Sequence, residues 1–101
     1  MRAEDLPVSY VVTGNFPRAV LAQDAPLAAH YAQEIALRIA EAMELRGMVQ
    51  TALSERSGVG QNTISRILRG LVYSDVATLA KLEAALRADI YPTGLYRRYT
   101  N

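Results

Sequence analysis

The sequence predicts a mainly α fold, a bundle of four to five helices with a short N-terminal β-strand extension. Three observations predict it. Between Gly47 and Gly70 two short helical patterns stand either side of a glycine turn. From Pro26 to Arg46 the chain is rich in Ala, Leu, Glu and Gln, with apolar residues at helical spacing, and from Asp75 to Arg87 leucines recur behind an acidic residue. Half of the 101 residues are hydrophobic, which suits one small core and leaves no room for a second, catalytic domain.

Along Leu6 to Thr13, Val8, Tyr10 and Val12 alternate with Ser9, Val11 and Thr13, a β-rich run that Gly14-Asn15 ends. A lone strand leaves its backbone groups unpaired. This one is therefore expected to pair with its copy across a two-fold axis, which would make a dimer, or with the C-terminal tail. Because the helices lie beyond it, removal of Met1 to Gly14 is expected to leave a folded domain that dimerises less well. Phe16 to Pro26 reads as a connector, with one helical turn over Arg18 to Ala22.

The first long helix is predicted from about Pro26 to Arg46. Asp24 is placed as its N-cap, Pro26 near its first turn, and Ala28, Ala32, Ile35, Ile39 and Met43 form its apolar stripe; Gly47 ends it. The next pattern, Gln50 to Ser57, turns Leu53 inward. Gly58 allows a tight reversal and Val59 plugs the turn. The third, Gln61 to Arg69, collects Ile64, Ile67 and Leu68 on one face and leaves Gln61, Asn62, Ser65 and Arg66 on the other. The last, Asp75 to Arg87, carries Leu79, Leu82 and Leu86 inward behind an Asp75 cap. Ile90-Tyr91-Pro92 is expected to fold back on the core, ahead of a basic aromatic tail of Tyr96, Arg97, Arg98 and Tyr99.

Residues Leu37 to Pro92 resemble the lambda-repressor-like family of helix-turn-helix DNA-binding domains, the Cro and XRE type. Leu45, Gly47 and Met48 are similar to the end of that family's first helix; Gln50, Leu53 and Ser57-Gly58-Val59 to its second helix and turn; and Thr63 to Ile67 with Gly70 to its recognition helix and exit. Leu79, Leu82 and Leu86 resemble its fourth helix. Val49 stands where a capping Ser or Thr is common, Ser54 where Ala is usual, and Gly60 where Ser or Thr often caps; glycine still caps acceptably, whereas valine does not. The chain then divides into an N-terminal extension (1–26), which is the strand and dimerisation arm, a helix-turn-helix domain (27–92) and a tail (93–101).

The resemblance implies double-stranded DNA as partner, with the recognition helix in the major groove and its N-terminal residues at the base edges. Gln61 and Asn62 would pair with adenine and Arg66 with guanine, each good bidentate pair discriminating by about 1–3 kcal/mol. Thr63 or Ser65 would meet a thymine methyl or a phosphate. Gln50 would bind a phosphate and support Gln61, and Arg69 with the Gly70 to Ser74 loop would meet the DNA backbone. For each of these the bland alternative is a solvated helix surface. Arg97 and Arg98 stand between DNA contact and solvated tail.

Net charge is only +1, but its distribution is uneven. Residues 1 to 47 carry four arginines against six carboxylates, a balance of −2, and residues 48 to 101 carry seven basic against four acidic side chains, a balance of +3. A modest positive face makes DNA affinity depend on geometry. Neither a nucleophile with a base nor a glycine-rich phosphate loop is present, so the expectation is no enzyme and no cofactor. The absence of cysteine excludes disulfide frameworks and thiolate metal sites, and the single His30 reads as a helix-face residue, so no metal is expected. With no apolar run of about 18 residues and no signal peptide, no membrane is expected and the cytoplasm of a bacterium or phage-infected host, at the nucleoid, is the default.

These readings lead to a sequence-specific transcriptional regulator, a homodimeric repressor on an inverted repeat. The alternative, from another class, is an antitoxin-type interaction module that holds a toxin or other protein and binds DNA secondarily.

Overall fold

Proline and glycine punctuate the chain, and the elements lie between them. The computed structural model describes residues 5–100. A 3-10 turn, Pro7–Tyr10, leads into strand β1 (Val11–Thr13), which pairs with β2 (Val20–Leu21); helices α1 (Leu27–Leu45), α2 (Gln50–Ser57), α3 (Gln61–Arg69) and α4 (Val76–Leu86) follow, and a second 3-10 turn spans Leu95–Arg98. The fold is mainly helical, as expected. Among the described residues no helix is long and apolar enough to cross a membrane.

α1 packs on α3 and α4, and α2 on α3 and α4, so each helix turns its apolar side to a common centre. Ile39 of α1, Leu53 of α2, Ile64 of α3 and Leu82 and Leu86 of α4 meet there, all fully buried. Ile90 joins them, and Pro92 beside it is also fully buried, so the segment after α4 folds back on the core. Glu83 fixes that return: one carboxylate oxygen accepts the backbone N–H of Ile90 at 2.9 Å and of Tyr91 at 3.0 Å.

The N-terminal extension departs from its expected form. Of the expected strand only Val11–Thr13 pairs as one, because Pro7 opens a 3-10 turn with its fixed φ. β1 pairs antiparallel with β2 of the same chain, Val11 opposite Leu21 and Thr13 opposite Val20, and not with the tail. The connector thus supplies the partner strand. Where one helical turn was expected over Arg18 to Ala22, Val20–Leu21 is β2, since the backbone reverses at Gly14 (φ 81°) and the two runs become neighbours. Pro7 and Leu21 are buried and Phe16 packs on the helical core, so the extension shares that core. Met1 to Glu4, part of the expected dimerisation arm, lie outside the described residues.

Two details of α1 also differ. Pro26, not Asp24, occupies its N-cap position and no side chain caps the helix, which begins one residue later than expected, at Leu27. The apolar stripe runs through Ala32, Ile35, Ile39 and Met43, but its first member is buried Ala29 and not exposed Ala28. Both spacings, three and four, reach the same helix face. At the other end of the chain the tail returns to α1: the Tyr96 N–H donates to the Tyr31 hydroxyl at 3.0 Å, and the Tyr99 ring stacks on His30 at 3.9 Å between centroids. Burial lowers the His30 pKa.

Candidate nucleic-acid interface

α2 and α3 are built as a unit around their turn. Gly58 ends α2 in the left-handed region (φ 79°, ψ 5°), and its N–H donates to Ser54 O at 2.9 Å. A Cβ there would meet nothing within 4 Å, so it is the backbone conformation, not crowding, that favours glycine. Val59 is buried under the turn. Two serines then staple it: Ser54 Oγ donates to Val59 O at 2.7 Å, and Val59 N–H donates to Ser57 Oγ at 3.0 Å. Ser54, where the resemblance led one to expect alanine, therefore bonds the turn directly.

Helix α3 sorts its residues sharply. Ile64 and Ile67 are buried, whereas Gln61, Asn62 and Thr63 in its first turn and Arg66 in the next are exposed. None of those four polar side chains makes a hydrogen bond among the described residues, so their donors and acceptors face outward unengaged. Ser65 is half-buried, and Arg69 folds back toward it, its Nε donating to Ser65 Oγ at 3.2 Å. Those two therefore hold each other. Gln50 begins α2, half-buried, and its side chain makes no hydrogen bond to Gln61 or any other described residue.

Neither Val49 nor Gly60 offers a side chain to the first-turn N–H groups behind it, so the N-termini of α2 and α3 are both open. Open amide groups at a helix N-terminus attract an anion such as a phosphate. At the other end of α3, Gly70 is left-handed (φ 74°, ψ 29°) and the Leu71 N–H returns to Arg66 O at 2.9 Å. That geometry closes the helix.

The N-terminal extension reaches this exit, which the sequence reading missed. Val8 N–H donates to Gly70 O at 2.9 Å, Tyr73 OH donates to Asp5 O at 3.1 Å, and a Cβ on Gly70 would lie 3.0 Å from the Phe16 ring. Burial, then the neighbouring Tyr10 and Asp5 charges, push the Tyr73 pKa up, so its hydroxyl stays a donor. A usable signal existed: Gly14-Asn15 between two β-rich runs is a hairpin pattern.

A helix-turn-helix family model matches residues 39–91, more than half of the chain and the whole of α2, α3 and α4. The chain belongs to the helix-turn-helix family. Within it the chain is of the Cro/XRE type, a class of DNA-binding regulators that are typically not enzymes. No curated protein and no solved structure matches it. In this helix-turn-helix protein α3 is the second helix of the helix-turn-helix unit, and the outward face described above is that helix's free face.

Proposed function

We propose that this protein is a sequence-specific repressor that binds an inverted-repeat operator as a homodimer, with α3 in the major groove. The observation that carries the reading is the face of α3: two amides, a hydroxyl and a guanidinium stand exposed and unengaged on a helix whose other side is fixed in the core by Ile64 and Ile67. Amides match the donor and acceptor pair of adenine, and a guanidinium the two acceptors of guanine. Gln61, Asn62, Thr63 and Arg66 are the base readers. Gln50 and the open N-terminus of α2 bind a phosphate, and Ser65 positions Arg69 for the backbone, consistent with the bond between them.

The length of α3 supports a homodimer. A helix of nine residues reaches only a few base pairs, and a second copy about one helical turn away, near 34 Å, doubles the site read. Bound across a promoter, the pair obstructs polymerase. An antitoxin would bind DNA with the same face, so DNA binding alone does not separate it from a free-standing repressor; capture of a toxin by the purified protein would.

Selection of bound sequences from a random DNA pool, at physiological salt and with titration against scrambled competitor, tests the proposal. A palindromic consensus preferred by about a thousandfold or more is the expected result. Weak binding without a consensus, lost as salt rises, overturns it.

A further inference from the structure

The turn that joins β1 to β2 lies outside the helix-turn-helix unit, yet it is held against the end of the recognition helix. Phe16, inside the turn, packs on Gly70, the residue that closes α3. Arg18 N–H donates to Asn15 O at 2.7 Å and closes the turn itself. On the far side Gln33 of α1 grips the next residue by both backbone groups, accepting from Ala19 N–H at 3.0 Å and donating to Ala19 O at 3.1 Å. The turn is thus fixed at two points, one on α1 and one on the exit of α3.

Arg18 sits within this fixed turn, exposed, and its side chain makes no hydrogen bond or ion pair with any described residue. It is the only charged side chain between Asp5 and Asp24. A helix that enters the major groove with its N-terminal residues at the base edges has its other end near the groove wall, where the phosphates run. The last turn of α3 already carries Arg66 and Arg69. An exposed arginine on a turn braced against that end through Phe16 is suited to a phosphate, with little backbone entropy left to lose on binding.

We propose that the Asn15–Arg18 turn is a second DNA-contacting element, in which Arg18 takes a backbone phosphate of the duplex beyond the base pairs that α3 reads. This rests on the reading of α3 as the helix that enters the groove. The extension then has two linked roles: it braces the exit of the recognition helix through Val8, Phe16 and Asp5, and it widens the footprint on the phosphate backbone by one cationic contact.

The test uses the full chain and the duplex selected by the wild type, with affinity measured over a salt series for wild type, Arg18→Ala and Arg18→Lys. Loss of one phosphate contact reduces the salt slope by about 0.9 and weakens all sequences alike, by about fivefold to tenfold at low salt, with base preference unchanged. Arg18→Lys retains the charge and restores the slope. Because the side chain is exposed and unpaired, the Arg18→Ala melting temperature stays at the wild-type value. An Arg18→Ala variant that binds the selected duplex with the wild-type affinity and slope overturns the proposal. A wild type that selects no sequence, or an Arg66→Ala variant with unaltered base preference, overturns the reading of α3 instead and removes the basis for this one.

Discussion

In α4 the carboxylates are spent on the protein's own backbone. Asp75 accepts the Thr78 N–H at 2.7 Å and caps the helix, and Glu83 accepts two N–H groups of the returning chain. In α3, of comparable length, the side chains of Gln61, Asn62, Thr63 and Arg66 engage no described residue, and the helix begins at Gly60 without a side-chain cap. Both helices bury a leucine or isoleucine face in the same core. The difference teaches that burial alone does not distinguish a structural helix from one proposed to read DNA; what distinguishes these two is whether the named polar side chains are satisfied at home. In the proposed complex, a carboxylate cap at the start of α3 would place a negative charge against the DNA.

Four substitutions break or sharpen that contrast. Glu83→Ala has the largest expected effect, because it strips a charged acceptor from two backbone donors: thermal or denaturant unfolding should show a loss of about 2 kcal/mol. DNA affinity of the folded fraction should not change. If stability is unaltered, the inward role of the α4 carboxylates is wrong. Arg66→Ala is next and should do the reverse, leaving the melting temperature in place while affinity falls about tenfold, as expected for one lost bidentate contact. Its loss should concentrate at one base pair, whereas Gln50→Ala weakens every sequence equally; a uniform loss from both would break the assignment of Arg66 to a base.

The smallest effect is expected at Asp75. The hydrogen bonds from Thr78, backbone first and then side chain, hold its carboxyl below the ordinary value of 3.8, with a lesser contribution from Lys81. A depressed folded-state pKa contributes stability that is complete above 3.8 and disappears as the pH falls through the lower folded value. Asp75→Asn keeps a capping oxygen without the charge. Its melting temperature should match the wild type near neutral pH and lack that acid-side decline; an identical acid limb in both proteins would remove Asp75 as its source.

Much of the helix-turn-helix unit was legible in the chain. Gln50–Ser57 and Gln61–Arg69 lie where the periodicity placed them, and Gly58 and Gly70 end them in the left-handed conformation. These signals are local: a three- and four-residue spacing, a glycine, a capping aspartate. The engagement of the polar residues was less legible. Ser65 and Arg69 read as free groups but bond each other, and Glu83 carried no mark of its two backbone partners seven and eight residues on.

The N-terminal extension shows where such reading ends. Val11, Val12 and Thr13 announce an extended backbone by their β-branching, and the sequence by itself determined that much, together with the four helices, their turn and the outward chemistry of α3. Only the tertiary structure decided which strand β1 pairs with, that Phe16 lies on Gly70, and that Tyr73 reaches Asp5. The physical reason is range. A helix satisfies its backbone within itself, so its pattern is written in neighbouring residues; a strand and a docked turn are satisfied by whatever the rest of the chain brings to them.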